Sequence, residues 1–279
     1  TRAGLGWAAA QNKDNLPWTP GYDVAGVVEK VGPGVTSLAE GDQVCGMVGF
    51  PLAAGAYAES VVAREEELVK LDGVSLRQGA ALPLAGLTAW QGLLEHGGLQ
   101  SGQRVLILAG AGGVGHLAVQ FAAAYGAHVV ATASGDNHSF LHSLGASRMV
   151  DYHQAGWCTE AITDGPFDLV LDLVGGESGK AALACVKPGG RLVTVPTITA
   201  QQIKDAGAEL GVEVVGMLVH PDRTQLTQML TLLRQGEVKI TVSGEYTLAE
   251  GALAHQAIEQ GHVRGKLLLR MSAADGQPG

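Results

Sequence analysis

Three glycines at fixed spacing carry the chemistry most legible in this chain. The run Arg104-Val-Leu-Ile-Leu-Ala-Gly-Ala-Gly-Gly-Val-Gly-His-Leu-Ala-Val-Gln leads an apolar strand into Gly110-x-Gly112-x-x-Gly115 and then into a helical pattern. A second apolar run, His128-Val-Val-Ala-Thr-Ala, completes a βαβ unit. That context predicts a dinucleotide site. Without a Cβ, Gly110 permits the tight turn, Gly112 admits a pyrophosphate close to the backbone, and Gly115 lets the helix pack on the strand. The unpaired amides of the first helical turn, reinforced by the helix dipole, then hold the anion without a lysine, with Gly113 and Val114 inside the same turn.

The elements that must position this turn can be read on either side of it. Residues 20–80 contain short β segments, Val24-Ala-Gly-Val-Val-Glu-Lys-Val, Asp42-Gln-Val-Cys-Gly-Met-Val and Tyr57-Ala-Glu-Ser-Val-Val-Ala, separated by Gly32-Pro33-Gly34 and Glu40-Gly41-Asp42. They suggest a small barrel or sandwich. From Leu87-Thr-Ala-Trp onward helices and strands alternate, so a boundary is expected near residue 82. Asp168-Leu-Val-Leu-Asp-Leu-Val, Arg191-Leu-Val-Thr-Val and Val212-Glu-Val-Val-Gly-Met-Leu-Val are nearly continuous apolar runs, as in a parallel sheet covered on both faces. Leu226, Met229, Leu230 and Leu233 form one stripe of a core-facing helix. Val238-Lys-Ile-Thr-Val, a helix over 249–260 and Lys266-Leu-Leu-Leu-Arg-Met are expected to return to the β-rich part. The expected domains are thus 1–82, 83–236 and 237–279.

Bulk properties narrow the function classes. With 27 acidic and 18 basic residues the formal charge is −9, and no basic cluster supplies a phosphate-backbone footprint, so nucleic acid is not an expected partner. The cysteines, Cys45, Cys158 and Cys185, are odd in number, far apart in sequence and without C-x-x-C spacing, which favours a reducing interior. The start lacks signal-peptide character and no apolar run reaches spanning length, so no membrane role is expected and cytoplasm is the default. Neither Gly-x-Ser-x-Gly nor His-Glu-x-x-His occurs, which disfavours hydrolase chemistry.

Taken together, Pro20-Gly-Tyr-Asp-Val-Ala-Gly-Val-Val, Gly41-Asp-Gln-Val, Gly55-Ala-Tyr-Ala-Glu, Leu87-Thr-Ala-Trp, Gly110-Ala-Gly-Gly-Val-Gly, Leu144-Gly-Ala, Val150-Asp-Tyr and Gly265-Lys-Leu-Leu-Leu resemble the medium-chain dehydrogenase/reductase superfamily. The resemblance is to its zinc-independent quinone oxidoreductase and alkenal (enone) reductase branch and runs almost end to end. It implies an α/β architecture: a GroES-like β-rich catalytic domain, a doubly wound parallel-sheet (Rossmann) nucleotide domain, and an active site in the cleft between them. It also implies further catalytic-domain strands before residue 1, so the β-rich domain is expected to be N-terminally truncated in this chain.

The resemblance further implies residue roles. Zinc-using relatives carry Gly-His-Glu where this chain has Gly21-Tyr22-Asp23, and with three dispersed cysteines no metal ligands are expected. His138 and His142 stand four apart on an expected helix, a spacing read as a surface pair. Ser134 occupies the place where NAD-specific sites put a carboxylate, which favours NADPH over NADH; Asp136, two residues on, is the complication. His138, Tyr152 and Lys266 match positions that contact the adenosine phosphate or cofactor in NADPH-using relatives. Thr88 is a candidate nicotinamide contact, with a helix-start role as its alternative. Val174, Gly175, Pro196 and Thr197, following later strands, are expected to line the cofactor groove. Tyr22 and Tyr57 are candidates for the proton donor or oxyanion partner, against core or supporting roles.

The implied activity is hydride transfer from NADPH to a small-molecule quinone or α,β-unsaturated carbonyl. An enoyl-thioester reductase and a non-catalytic, crystallin-like NADPH-binding protein remain open alternatives, and a homodimer is an open expectation.

Overall fold

The computed structural model describes residues 17–52 and 54–271. The chain divides into two compact units. One comprises the described parts of Thr1–Leu84 and Ile240–Gly279 with Pro221–Leu230; the other comprises Ala85–His220 and Thr231–Lys239.

The second unit is built on a six-stranded sheet. Its strands are β4 (Arg104–Ile107), β5 (His128–Ala133), β6 (Arg148–Asp151), β7 (Phe167–Asp172), β8 (Val186–Thr194) and β9 (Glu213–Gly216), in the spatial order β6-β5-β4-β7-β8-β9. Every pairing is parallel. The interiors of the central strands are mostly apolar because both sheet faces are covered: Val105, Leu106 and Ile107 of β4 are all fully buried. Helices α3 (Gly115–Ala124), α4 (His138–Ser143), α5 (Trp157–Ala161), α6 (Gly176–Ala182) and α7 (Ala200–Leu210) connect the strands. Strand order reverses between β4 and β7, so the loops after β4, β5 and β7 emerge at the switch point where doubly wound sheets bind ligands.

The first unit is smaller and β-rich. Strands β1 (Asp23–Val27), β2 (Gln43–Met47) and β3 (Leu68–Lys70) form an antiparallel sheet. Strand β10 (Val242–Thr247) pairs in parallel with β11 (Lys266–Arg270), and helix α9 (Gly251–Glu259) connects them in a βαβ return.

 Helix α1 (Leu76–Ala81) starts on a capping box in which Ser75 and Gln78 satisfy each other's end groups. Helix α2 (Pro83–Trp90) and helix α8 (Arg223–Gln235) are the other α-helices among the described residues.

Two expectations for this part are corrected. Residues 57–63 were expected to form a strand and are irregular; the third strand is the shorter β3, whose Val69 fills the core opposite Cys45. The backbone at 56–57 is instead bonded to residues 20 and 21: the Tyr57 amide donates to the Pro20 carbonyl at 2.9 Å and the Ala56 amide to that of Gly21 at 3.2 Å. Strand β10 likewise begins at Val242, later than the 238–242 run suggested, because the Lys239 amide and carbonyl are taken by the Gln120 side chain at 2.8 and 2.9 Å.

The loops at the carboxyl end of the parallel sheet are tied by one buried carboxylate. Asp172, at the end of β7, has no exposed surface; it accepts from the amides of Val174 at 2.9 Å and Gly175 at 2.8 Å and from the Thr194 hydroxyl at 2.8 Å. Removing it leaves buried donors unsatisfied, each costing about 1–3 kcal/mol. Asp172→Ala is therefore expected to destabilise the chain by several kcal/mol in urea unfolding, on the order of 3 kcal/mol or more, with Asp172→Asn losing less.

Candidate nucleotide and acceptor sites

The turn after β4 is held by contacts that leave its donors free. The Ala109 amide bonds the Thr132 hydroxyl at 3.1 Å and the Gly110 amide bonds the Thr132 carbonyl at 2.9 Å, which anchors the turn to β5. Ala109 has φ of 53°, left-handed for a residue with a side chain, and its carbonyl accepts from the Gly112 amide at 3.0 Å. Buried His116 closes the far side, its Nδ1 2.9 Å from the Gly112 carbonyl. Among the described residues, the amides of Gly113, Val114 and Gly115 have no backbone acceptor.

The three glycines do different work. A Cβ on Gly115 would lie 2.2 Å from the Ala109 carbonyl oxygen, and one on Gly110 would lie 2.8 Å from Ala131 Cβ, so packing alone requires both. A Cβ on Gly112 would meet only the Ala109 oxygen, at 3.3 Å. That contact is tight and the Ala109 backbone would have to give by a few tenths of an ångström, but packing restricts this position less than Gly110 or Gly115, and a phosphate brought close to the backbone restricts it further. The free amides and the less restricted position at Gly112 fit a dinucleotide pyrophosphate.

At the end of β5, Ser134 accepts from Asn137 Nδ2 at 2.9 Å, and Asp136 is exposed. His138 opens α4, and its Nε2 is buried with no hydrogen-bond partner among the described residues. Tyr152 is exposed, its ring 4.1 Å from that of His153. Sequence reasoning did not weigh Asp151: it accepts from the His153 amide at 2.9 Å and Nδ1 at 3.0 Å, and the His153 amide beside it holds its carboxyl below the usual carboxylate range.

After β7 and β8 two loops meet. The Gly176 amide donates to the Thr199 hydroxyl at 3.1 Å, and a Cβ on Gly175, where φ is 76°, would lie 2.3 Å from that hydroxyl and 3.0 Å from Pro196 Cβ. Val174, Gly175, Pro196 and Thr197 are thereby brought to one rim, with Val174 exposed. Thr88 is buried within α2 rather than at a helix start.

Tyr22, Tyr57 and Lys266 belong to the β-rich unit. Tyr22 packs edge-on against Phe50, with ring centroids 5.1 Å apart, and its hydroxyl is buried without a partner among the described residues; burial raises its pKa. The Tyr57 hydroxyl lies 3.1 Å from His255 Nε2. Burial, and then the charge of Asp23, raise the Tyr57 pKa, so the phenol stays protonated. Lys266 Nζ is 3.8 Å from Asp23 Oδ2, and the Leu84 amide donates to Asp23 Oδ1 at 2.7 Å. Neither Asp23 nor His255 was singled out in the sequence, because only the fold brings residues 23, 57, 255 and 266 together. Cys45 is buried and its thiol is pushed up to about 12 by desolvation and Asp23. Cys158 and Cys185, far apart in sequence, are neighbours, with Cys185 Sγ 3.8 Å from the Cys158 carbonyl; all three cysteines are free thiols. Among the described residues no group of three or more His, Cys, Asp or Glu is arranged to hold a metal ion, and no helix is long and apolar enough to cross a membrane.

A doubly wound sheet with an anion-ready turn at its switch point, in a chain that also contains a small β-rich unit, has the architecture of a nucleotide-dependent dehydrogenase or reductase. Comparison with known proteins specifies it. The family model described as alcohol dehydrogenase GroES-like domain matches residues 4–73, and that described as zinc-binding dehydrogenase matches residues 144–269. The structure of the quinone oxidoreductase from Coxiella burnetii is similar with a TM-score of 0.93 and 40% identity, over 97% of this chain and 85% of that one. The NAD(P)H oxidoreductase RTN4IP1, mitochondrial, of Danio rerio is 34% identical over 93% of this chain and 74% of its own. The 2-methylene-furan-3-one reductase of Solanum lycopersicum is 38% identical over 91% of this chain, which spans 64% of that relative's length. The chain belongs to the medium-chain dehydrogenase/reductase superfamily, in its quinone oxidoreductase-like branch. It is an NAD(P)H-dependent oxidoreductase of the quinone oxidoreductase and enone reductase type, acting on a small molecule.

The Asp23 carboxyl gives a pH signature. Burial raises its pKa, with Lys266 and the Leu84 amide pulling part of the way back. A carboxyl raised on folding contributes stability that is full below the unfolded value, about 3.9, and lost as pH rises through the folded value. Urea unfolding from pH 4 upward is expected to show wild type losing stability relative to Asp23→Asn as pH increases.

Proposed function

We propose that this oxidoreductase uses NADPH in preference to NADH and reduces quinones or α,β-unsaturated carbonyls without zinc. The observation that carries the cofactor preference is the end of β5: a neutral Ser134 stands where a carboxylate would repel a 2′-phosphate, and the buried Nε2 of His138 has no partner among the described residues. In this reading the amides of Gly113, Val114 and Gly115 hold the pyrophosphate, Gly110, Gly112 and Gly115 shape the turn, and Tyr152 stacks at the adenosine end. Thr88 and the rim of Val174, Gly175, Pro196 and Thr197 serve the nicotinamide half. Lys266, engaged by Asp23, supports the electrostatics of the β-rich unit.

When bound, NADPH supplies the hydride. The chain must orient the acceptor, exclude water and stabilise the negative charge that develops on the acceptor oxygen. Tyr22 and Tyr57 are the proposed donors to that oxygen. Tyr22 carries a buried hydroxyl whose missing bond an acceptor oxygen would supply, and its protonated phenol, standing where zinc-using relatives have a histidine, is a poor metal ligand.

Nicotinamide fluorescence titration is expected to give at least about tenfold tighter binding of NADPH than NADH, worth about 1.4 kcal/mol. Ser134→Asp is expected to abolish that preference; equal affinities in the wild type would overturn the NADPH assignment. Gly112→Ala is expected to weaken cofactor binding with a smaller loss of melting temperature than Gly115→Ala, whose Cβ has no room. Steady-state oxidation of NADPH with a quinone, a short enone and an enoyl thioester separates acceptor classes. Turnover confined to the thioester would reassign the chain as an enoyl-thioester reductase.

A further inference from the structure

We infer that His255 relays a proton from solvent through the Tyr57 hydroxyl to the reduced acceptor's oxygen. The inference rests on the reductase reading above and adds to it a residue that sequence motifs did not mark.

Tyr57 is held in place from several sides. Its amide is bonded to the Pro20 carbonyl at 2.9 Å. Its ring lies so close to Gly21, where φ is 102°, that a Cβ there would sit 2.6 Å from Tyr57 Cδ1. His255 meets the ring edge-on, with centroids 5.8 Å apart at an interplanar angle of 90°, and places Nε2 at 3.1 Å from the hydroxyl. His255 comes from α9, 198 residues away in sequence, and is half-buried, so it is partly open to solvent while its Nε2 meets the phenol.

Reduction of an enone or quinone by hydride leaves an oxyanion that needs one proton. A tyrosine giving that proton alone would become a phenolate in a half-buried place within reach of the Asp23 negative charge, which disfavours it. A second donor behind the phenol removes that cost. In the relay the Tyr57 O–H bond breaks as the acceptor O–H bond forms, the phenol oxygen takes the proton from His255 Nε2, and the imidazole recovers one from water. No net charge is left on the protein. Tyr22 then serves as the oxyanion contact and Tyr57 as the proton path. His255 touches neither acceptor nor cofactor and acts only through Tyr57.

The test compares His255→Ala, His255→Gln and Tyr57→Phe in the whole chain with NADPH and the best acceptor of the panel. His255→Ala is expected to lower kcat by about 10²-fold with little change in KM for the acceptor, and added imidazole is expected to restore it in a concentration-dependent way. Tyr57→Phe is expected to lose a similar factor without imidazole rescue, and the double variant is expected to be no slower than the slower single one. His255→Gln keeps a hydrogen-bond donor toward Tyr57 but cannot pass a proton, so it is expected to stay slow; wild-type kcat in this variant reduces His255 to a packing residue and overturns the relay. Should His255→Ala fail to bind NADPH by fluorescence, His255→Gln decides alone. A wild-type chain that turns over every acceptor class while His255→Ala keeps full kcat refutes the relay and spares the reductase reading. Wild-type inactivity on all acceptors removes both.

Discussion

The approach of helix α3 to the end of β4 is the constraint on which the nucleotide-binding unit depends. Gly115 lies against the Ala109 carbonyl at a separation no side chain permits, so the helix begins directly over the strand's end with its first amides pointing into the switch point. Ala109 takes a left-handed backbone to make that turn, and Thr132 and His116 hold it from β5 and from the helix itself. A charged anchor is not needed where aligned amides and a helix dipole already supply the field. The same arrangement explains why the surrounding strands are so uniformly apolar, since a rigid, doubly covered sheet is what keeps the turn open.

Several of the remaining site features share one pattern: buried polar groups are satisfied in sets. Asp172 binds two loop amides and a hydroxyl and so fixes the rim formed by Val174 and Gly175. Asp23 binds a backbone amide and lies near Lys266. Against this background, the free amides of the glycine turn, His138 Nε2 and the Tyr22 hydroxyl stand out as donors without acceptors among the described residues. An unsatisfied buried group is destabilising in isolation.

Much of the parallel-sheet unit was legible in the residues. The apolar runs at 104–107, 128–133 and 167–172 became strands almost residue for residue, because a strand buried on both faces admits little but aliphatic side chains. The β-rich unit was less legible. Its strands are short and its loops are shaped by long-range backbone bonds, so residues 57–63 carried a strand-like pattern without becoming one, and β3 was overlooked. Tyr57 was recognisable from its motif, but its partner His255 was not, since α9 shows only an amphipathic helix pattern in sequence.

What the sequence alone determined is local: glycine where a Cβ cannot fit, aliphatic runs where both sheet faces are covered, and a neutral Ser134 at the end of a strand. These are decided by sterics and charge within a few residues and survive any rearrangement of the rest. What only the tertiary structure decided is the pairing of distant groups: Tyr57 with His255, Asp23 with Lys266, Asp172 with Thr194. Hydrogen bonds and ion pairs act over about 3–4 Å, a range that chain proximity does not reveal and that only the folded backbone establishes.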